Sequence, residues 1–282
     1  MEINKIAVLG AGTMGTGIVW AFAAAGKEVI VYDIAQEIVD RCIANVKKGV
    51  AKLEEKGKVP AGTAEGLKIT GTAKLEDIAS VDFVLETVLE KMAIKKDVYG
   101  KLSGIIGDDI IVATNTSALP ITEIATAYKR PDKVVGMHFF NPAQVMKLIE
   151  VIAAAQTSQE TVDTVFALSL AIDKKPIQVK EGPGFVVNRI LVPGINEAAF
   201  ILYEGLASVA DIDTAMKLGA GWPMGPLQLA DLVGIDIALE VCNTLYEETG
   251  DPKYRPAAPL KQWVRAGWLG MKTKKGFYDY NK

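Results

Sequence analysis

The segment KIAVLGAGTMG, residues 5–15, begins as a short apolar run and continues into closely spaced glycines. The run 5–10 predicts a β-strand that ends in glycine, and the following residues 13–25 predict a helix closed by Gly26. The glycines fit the pattern GxGxxG between a strand and a helix, which is the context that this motif requires. They are Gly10, Gly12 and Gly15.

Each glycine of this loop has its own task. The first permits a tight turn, the second lets the backbone approach a pyrophosphate, and the third brings the helix against the strand. The start of the helix, at Thr13 and Met14, then offers unpaired N–H groups to phosphate. The alternative is a glycine-rich turn without a ligand. Strand, loop and helix together favour a dinucleotide-binding site.

An acidic residue follows at the spacing that such a site requires. Asp33 ends the next predicted strand, EVIVYD at 28–33, where a carboxylate binds the adenosine ribose hydroxyls. A carboxylate at this place repels a 2′-phosphate, so NAD(H) is favoured over NADP(H). Arg41 or a nearby lysine would weaken that preference.

The rest of the first two thirds alternates between short apolar runs and helical segments. An amphipathic helix is predicted over 36–55, and further elements complete an α/β fold with a parallel, doubly wound sheet of the Rossmann type. The apolar runs, each predicted to be a strand, are 67–69, 81–88, 110–114, 134–140, 148–153 and 177–180, with a helix around 161–172 before the last.

The segment EGPGF at 181–185 predicts the domain boundary, because its glycines and proline disfavour either kind of regular element. We therefore expect a dinucleotide-binding domain over 1–183 and a second domain over 184–282. The apolar spacing after the boundary is helical, which predicts a mostly α-helical second domain. Pro193 and Gly194 predict a kink or a break in its first helix.

Composition excludes several classes of function. The chain of 282 residues carries 31 Lys and Arg against 34 Asp and Glu, so no positive field favours nucleic acid or an anionic membrane. It has no predicted targeting segment and no long apolar run, so we expect a cytoplasmic protein that does not span a membrane. Cys42 and Cys242 lack the spacing of a zinc site or a disulfide framework, and we expect no metal and two buried thiols.

The one histidine of the chain, His138, lies in GMHFFNP at 136–142. Histidine titrates nearest to neutral pH, which suits the proton transfer between an alcohol and a ketone. A lone histidine beside two phenylalanines is more often a packing residue. Glu150 shifts the balance, because a carboxylate in the apolar segment KLIEVI requires a partner. His138 is the predicted partner.

Two further polar residues are candidates for the same site. Ser117 follows a predicted strand at its carboxyl end, where ligands collect in open α/β sheets, although it also suits a helix cap or a turn. Asn188 lies in the first turns of the helix that opens the second domain, where it can reach an interdomain cleft. Its alternative is a solvated or capping residue.

These residues together resemble the short-chain 3-hydroxyacyl-CoA dehydrogenase family, over essentially the whole chain. The combination of HFFNP, the following glutamate and PGFVVNR is highly specific. The matching segments are GAGTMG at 10–15, NTS at 115–117, HFFNP at 138–142, MKLIEVI at 146–152, GPGFVVNR at 182–189, DIDTAMKLGAGWPMGP at 211–226 and GFYDY near the end.

The resemblance implies roles for individual residues. It implies that His138 is the acid and base of hydride transfer between a 3-hydroxyacyl-CoA and a 3-ketoacyl-CoA, that Glu150 orients it, and that Ser117 and Asn188 contact the reacting oxygen. Lys52 and Lys56 resemble contacts for the coenzyme A phosphates, although lysine-rich helix faces are usually just solvated. The residues implied to lie near the dinucleotide are Asp33, Glu90, Lys95, Asn115 and Lys272.

The chain departs from its relatives at two positions, Lys274, where glycine is common, and Trp222, where tyrosine is frequent. The resemblance and the apolar helices after 185 also imply a homodimer formed through the second domain. Two alternatives remain: a dehydrogenase of free β-hydroxyacids that uses a lysine as acid and base, and a dinucleotide-sensing protein without activity. The spacing of the histidine and the glutamate disfavours the first, and the complete catalytic set disfavours the second.

Overall fold

The computed structural model describes residues 3–281, which form two compact units that divide between Glu181 and Gly182. The division lies within the glycine-proline segment EGPGF, whose residues continue neither the preceding strand nor a helix.

The first unit is built on a sheet of eight strands among the described residues. Its spatial order is β3-β2-β1-β4-β5-β6-β7-β8, so the order reverses between β1 and β4. The carboxyl ends of the parallel strands β1 to β6 meet at one edge, and ligands of such sheets bind where the order reverses. The strands are β1 Lys5–Leu9, β2 Glu28–Tyr32, β3 Ile69–Thr72, β4 Phe83–Glu86, β5 Ile111–Thr114, β6 Val134–Phe139, β7 Leu148–Ala153 and β8 Lys175–Lys180.

Helices connect the parallel strands, as the alternating pattern predicts. The strands between them are apolar because both faces of the sheet are covered, and Val8 in β1 and Leu85 in β4 are fully buried. The strand predicted at 67–69 begins only at Ile69, because Thr63–Gly66 form a helical turn that ends at Leu67. The helices of this unit are α1 Thr13–Ala24, α2 Gln36–Glu55, α3 Thr63–Gly66, α4 Met92–Ile105, α5 Ile121–Ala125 and α6 Gln159–Ala171.

The prediction of a parallel sheet is wrong at one place: β7 runs antiparallel to β6, with His138 opposite Glu150 in the register. A parallel neighbour needs a crossover connection of a dozen or more residues. The segment between β6 and β7 has only the residues 140–147 and contains no helix, so the chain turns back on itself. Helix α6 then provides a crossover, and β8 pairs parallel to β7.

The second unit is helical. Its apolar core joins α7, α10 and α11 around residues such as Ala199 and Leu245, both fully buried. Helix α7 continues through Pro193, so the predicted break does not occur. The helices are α7 Val187–Tyr203, α8 Val209–Gly219, α9 Pro226–Val233, α10 Ile235–Thr249 and α11 Ala258–Arg265.

Two buried carboxylates hold the C-terminal residues of this unit. Asp231 accepts hydrogen bonds from the backbone N–H of Phe277 and Tyr278, both at 2.9 Å, and Asp213 accepts one from the Tyr278 hydroxyl at 2.7 Å. Burial raises the pKa of Asp231. None of the helices within residues 3–281 is long and apolar enough to cross a membrane.

Candidate active site

The glycine loop lies where the strand order reverses, between β1 and α1. Gly10 has a φ of +98°, a conformation that favours glycine, and its N–H donates to the carbonyl oxygen of Tyr32 at 2.8 Å. A Cβ atom on Gly10 would lie 2.7 Å from the carbonyl oxygen of Thr87, and one on Gly15 would lie 1.8 Å from that of Gly10. Both positions therefore require glycine for packing.

Gly12 differs from its neighbours because a Cβ atom there would meet nothing within 4 Å. It is exposed and serves as the N-cap of α1, where no side chain accepts from the first turn. Thr13 and Met14 thus start a helix whose N-terminal N–H groups have no side-chain cap. The open face of Gly12 and these N–H groups fit the pyrophosphate of a dinucleotide, which is anionic and needs close approach to backbone.

Asp33 lies directly beyond β2 and beside this loop. Its Oδ2 accepts a hydrogen bond from the N–H of Ala11 at 2.8 Å, and its Oδ1 accepts one from the N–H of Ile34 at 2.8 Å. Both bonds hold the carboxylate at the sheet edge, and each oxygen keeps a lone pair for a further donor. Arg41, considered from the sequence as a modifier of cofactor choice, lies exposed on α2.

His138 and Glu150 form a buried pair on adjacent strands. The Nδ1 atom of His138 lies 2.8 Å from Oε2 of Glu150, so the partner predicted for the glutamate is the one that the structure provides. His138 is 4% exposed and Glu150 is fully buried. An ionised carboxylate only accepts hydrogen bonds, so it fixes the proton on Nδ1 and orients the ring. The ring of Phe140 lies 4.6 Å from the imidazole, centroid to centroid.

A buried lysine holds the turn that follows His138, residues 140–147. The ammonium of Lys174 donates to the carbonyl oxygens of Ala143 at 2.7 Å and Met146 at 2.8 Å. Burial, and then the neighbouring Lys147, lower the pKa of Lys174. The turn also packs on α1, because a Cβ atom on Gly17 would lie 2.8 Å from Oε1 of Gln144.

Asn115 and Ser117 lie just beyond the carboxyl end of β5. The side-chain oxygen of Asn115 accepts a hydrogen bond from the N–H of Phe139 at 2.8 Å, which ties this segment to the strand that carries His138. The N–H of Ser117 donates to Oε1 of Glu90 at 2.8 Å. The structure therefore brings Asn115, Ser117 and Glu90 to the edge of the sheet at which β6 ends.

Lys95 and a residue that the sequence analysis missed, Glu86, lie beneath this segment. The ammonium of Lys95 lies 2.7 Å from Oε1 of Glu86 and 3.2 Å from Oε2 of Glu90. Lys95 is 1% exposed, so its charge is directed to these carboxylates within the protein. A glutamate at the end of the apolar strand FVLE is the same signal that revealed Glu150, a carboxylate in an apolar run that requires a partner.

Four further predicted residues are described within their own units. Lys52 and Lys56 are exposed at the C-terminal end of α2, and Asn188 lies in the first turn of α7. Lys272 lies in the second unit, where its ammonium lies 2.6 Å from the carboxylate of Asp236. Across residues 3–281, no group of three or more His, Cys, Asp or Glu side chains is arranged to hold a metal ion.

The chain matches two family models that together span nearly its whole length. Residues 5–182 match the NAD binding domain of 3-hydroxyacyl-CoA dehydrogenase, and residues 184–280 match the C-terminal domain of 3-hydroxyacyl-CoA dehydrogenase. This chain belongs to the 3-hydroxyacyl-CoA dehydrogenase family. The resemblance read from the motifs is confirmed, and so are the Rossmann-type sheet, the helical second domain and NAD(H) as the dinucleotide.

Individual members of the family are similar over their full length. The chain is 53% identical to 3-hydroxybutyryl-CoA dehydrogenase of Clostridioides difficile, over 99% of this chain and all of that protein. It is 45% identical to the probable 3-hydroxybutyryl-CoA dehydrogenase of Bacillus subtilis, over 100% of this chain and 99% of that one. The crystal structure of (S)-3-hydroxybutyryl-CoA dehydrogenase from Ralstonia eutropha superposes with a TM-score of 0.96 at 44% identity, with both chains fully covered.

Proposed function

We propose that this chain interconverts 3-hydroxybutyryl-CoA and acetoacetyl-CoA with NAD(H), as an enzyme of short-chain fatty acid or butyrate metabolism. The buried His138–Glu150 pair carries this proposal, because it supplies an oriented imidazole at the sheet edge where the dinucleotide loop also lies. The names of the similar proteins from Clostridioides difficile and Ralstonia eutropha support the choice of a four-carbon substrate.

His138 moves the proton in the proposed mechanism. In the reducing direction, the imidazolium holds a proton at Nε2 and gives it to the oxygen that develops negative charge at C3. Glu150 accepts from Nδ1–H throughout, which keeps the ring oriented and stabilises its cationic form. In the oxidising direction, the neutral imidazole removes the same proton.

The dinucleotide supplies the hydride when it is bound. Gly10, Gly12 and Gly15, with the N–H groups of Thr13 and Met14, would hold its pyrophosphate, and Asp33 would hold the adenosine ribose. Glu90, Lys95 and Asn115 would lie near its other end, and Lys272 is a candidate contact from the second unit. Ser117 and Asn188 would hold the reacting carbonyl in line for transfer.

The coenzyme A portion of the substrate is anionic, and Lys52 and Lys56 are the proposed contacts for its phosphates. Both ammonium groups are exposed on the same helix end, which leaves them accessible to a ligand. Replacing both by glutamine should raise the KM for acetoacetyl-CoA and leave kcat close to that of the wild type, since the change removes contacts remote from the reacting atoms.

A spectrophotometric assay tests the proposed reaction. Purified protein should oxidise NADH in the presence of acetoacetyl-CoA, more efficiently than NADPH, and should prefer acetoacetyl-CoA to longer 3-ketoacyl-CoA substrates and to free acetoacetate. His138→Gln should lower kcat by about 10² to 10⁴-fold with NADH affinity unchanged. Near-normal turnover of this variant, or a preference for the free acid, would overturn the proposal.

A homodimer formed through the second unit is part of the same proposal. This unit exposes large apolar side chains that a partner copy would cover. They are Ile190, Tyr203, Leu206, Leu218, Leu232 and Ile237. Light scattering should give twice the mass of the chain, and Ile190→Lys combined with Leu218→Lys should reduce it to that of a monomer. The cytoplasmic location is likewise a proposal, tested by cell fractionation.

A further inference from the structure

Three charged side chains form a chain of contacts beneath the carboxyl ends of β4 and β5. Lys95 lies between two glutamates, 2.7 Å from Glu86 and 3.2 Å from Glu90. Glu86 is fully buried, and the side chain of Glu90 is 32% exposed. The contacts therefore connect the interior of the sheet to a group that reaches its surface.

Stability alone does not account for a buried ion pair. Moving two charges out of water costs several kcal/mol per ion, and well-packed apolar residues often serve stability as well or better. The cost is visible at Glu86, where burial raises the pKa and the charge of Lys95 opposes that change. The alternative to a role in stability is that the ion pair holds neighbouring residues of the site in position.

The two glutamates at the ends of this series of contacts, Glu86 and Glu90, both hold the segment at the end of β5 and just after it. Oε2 of Glu86 accepts from the hydroxyl of Thr114 at 2.8 Å, and that hydroxyl oxygen accepts from the N–H of Thr116 at 3.2 Å. Oε1 of Glu90 accepts from the hydroxyl of Thr116 at 2.5 Å and from the N–H of Ser117 at 2.8 Å. The segment 114–117 is thus held at Thr114 by Glu86 and at Thr116 and Ser117 by Glu90.

The position of this segment relates it to one half of the dinucleotide. In a doubly wound sheet the dinucleotide lies across the point where the strand order reverses. Asp33 beyond β2 marks the adenosine end and Gly12 marks the pyrophosphate, so the nicotinamide half falls over β4 and β5. Glu90 and Ser117 lie in the segments that follow those two strands.

We propose that Glu86 is a positioning residue for hydride transfer, which acts through Lys95 and Glu90 on Ser117 and on the nicotinamide half of the dinucleotide. Its charge holds the ammonium of Lys95 between two carboxylates. Without that charge, Lys95 pairs with Glu90 alone and draws its carboxylate away from the N–H of Ser117. This inference rests on the proposed function for its effect on turnover, but its effect on dinucleotide binding does not require the acyl substrate.

The first test is Glu86→Gln, which removes the charge and keeps the shape. Because Ser117 is displaced from the reacting oxygen, kcat should fall by about 10 to 10²-fold, while the KM for acetoacetyl-CoA should change by less than about threefold. The matched control is Glu123→Gln. Glu123 pairs with Lys96, the next residue of the same helix, at 2.8 Å, but both side chains are exposed, so this variant should behave as the wild type.

The second test measures dinucleotide binding by tryptophan fluorescence, without acyl substrate. NADH contains both halves of the dinucleotide, whereas ADP-ribose lacks the nicotinamide. Glu86→Gln should raise the Kd of NADH by about tenfold, the equivalent of one lost charge-assisted contact, and leave the Kd of ADP-ribose unchanged. A variant with general structural damage would weaken both ligands equally, and that result would overturn the proposal.

The double variant Glu86→Gln, Lys95→Met keeps the test decisive if the single variant does not fold, because it leaves no unpaired charge in the interior. It should fold and show a difference between NADH and ADP-ribose in the same direction, because Glu90 then lacks the ammonium group that holds its Oε2. Wild-type kcat and Kd values in either folded variant would overturn the proposal, as would failure of both to fold, since the network would then serve stability. Absence of acetoacetyl-CoA reduction by the wild type would overturn the proposed function alone.

Discussion

The Nδ1 atom of His138 lies 2.8 Å from Oε2 of Glu150, and the two residues occupy opposite positions in the register of antiparallel strands. The pairing depends on the short turn 140–147, which reverses the chain and brings a buried carboxylate beside the histidine. Because both backbones belong to a hydrogen-bonded sheet, the ring is held by the sheet as well as by its own contact.

Glu150→Gln should lower kcat by about 10² to 10⁴-fold, the range expected for loss of a carboxylate that orients a catalytic histidine. Glutamine retains the volume but presents an amide that can donate to Nδ1, which favours the wrong tautomer. The Kd of NADH, measured by fluorescence, should stay unchanged because the dinucleotide loop is not altered. Turnover close to that of the wild type would show that the pair is structural.

Gly12 and Gly15 should respond in opposite ways to alanine. Gly12→Ala meets open space within the protein, so its stability should fall by no more than about 1 kcal/mol, while NADH binding is lost because the methyl group occupies the approach of the pyrophosphate. Gly15→Ala collides with the carbonyl oxygen of Gly10 and should cost about 1–3 kcal/mol or more. Urea unfolding measures the effect on stability, and NADH titration measures the effect on binding. Equal loss of stability in the two variants would contradict the prediction.

Because of Lys174, the free energy of unfolding should change with pH in the alkaline range. Its pKa is lowered in the folded state from 10.5, so between the folded pKa and 10.5 the unfolded chain binds more protons than the folded one. Stability from this group therefore rises as the pH increases through that window, because deprotonation removes a charge that burial disfavours.

The variant Lys174→Met lacks this titration and serves as the reference. The free energy of unfolding of the wild type minus that of Lys174→Met, measured with urea at a series of pH values, should increase up to pH 10.5. A difference that is constant or falls with pH would show that the folded protein does not disfavour the charge of Lys174.

Lys274→Gly should stabilise the protein by about 0.5–1 kcal/mol. Lys274 has a φ of +57°, in the left-handed region, and relief of its strain exceeds the extra entropy that glycine brings to the unfolded chain. Lys274→Ala is the control, because it removes the ammonium group but keeps the Cβ atom and the strain. Equal stability of the two variants in urea unfolding would argue against a backbone effect.

Several features of the site follow from the order of residues over short distances. The loop 10–15 and Asp33 are specified locally, because a tight turn, a helix start and a strand end each depend on a few successive residues. The requirement of Glu150 for a partner was also evident from its apolar neighbours, and His138 was the only histidine available. These features predicted the fold class, the dinucleotide and the family.

The tertiary structure was needed for contacts between strands and helices that are separate in the sequence. The pattern of apolar runs did not reveal that β7 reverses, because both directions place the same side chains in the core. The family resemblance implied only that Lys95 lies near the dinucleotide, and the sequence analysis missed Glu86, since a buried ion pair becomes apparent only when α4 packs on β4.

The sequence by itself determined the glycine loop, Asp33 and the pairing requirement of Glu150, because each is a matter of local geometry or of a single unfavourable burial. Tertiary structure alone decided the direction of β7, the linkage from Glu86 through Lys95 to Ser117, and the left-handed conformation of Lys274. These three features have the same physical reason. The pairing of charges and the backbone angles depend on the neighbours that packing brings together, and those neighbours come from distant parts of the chain.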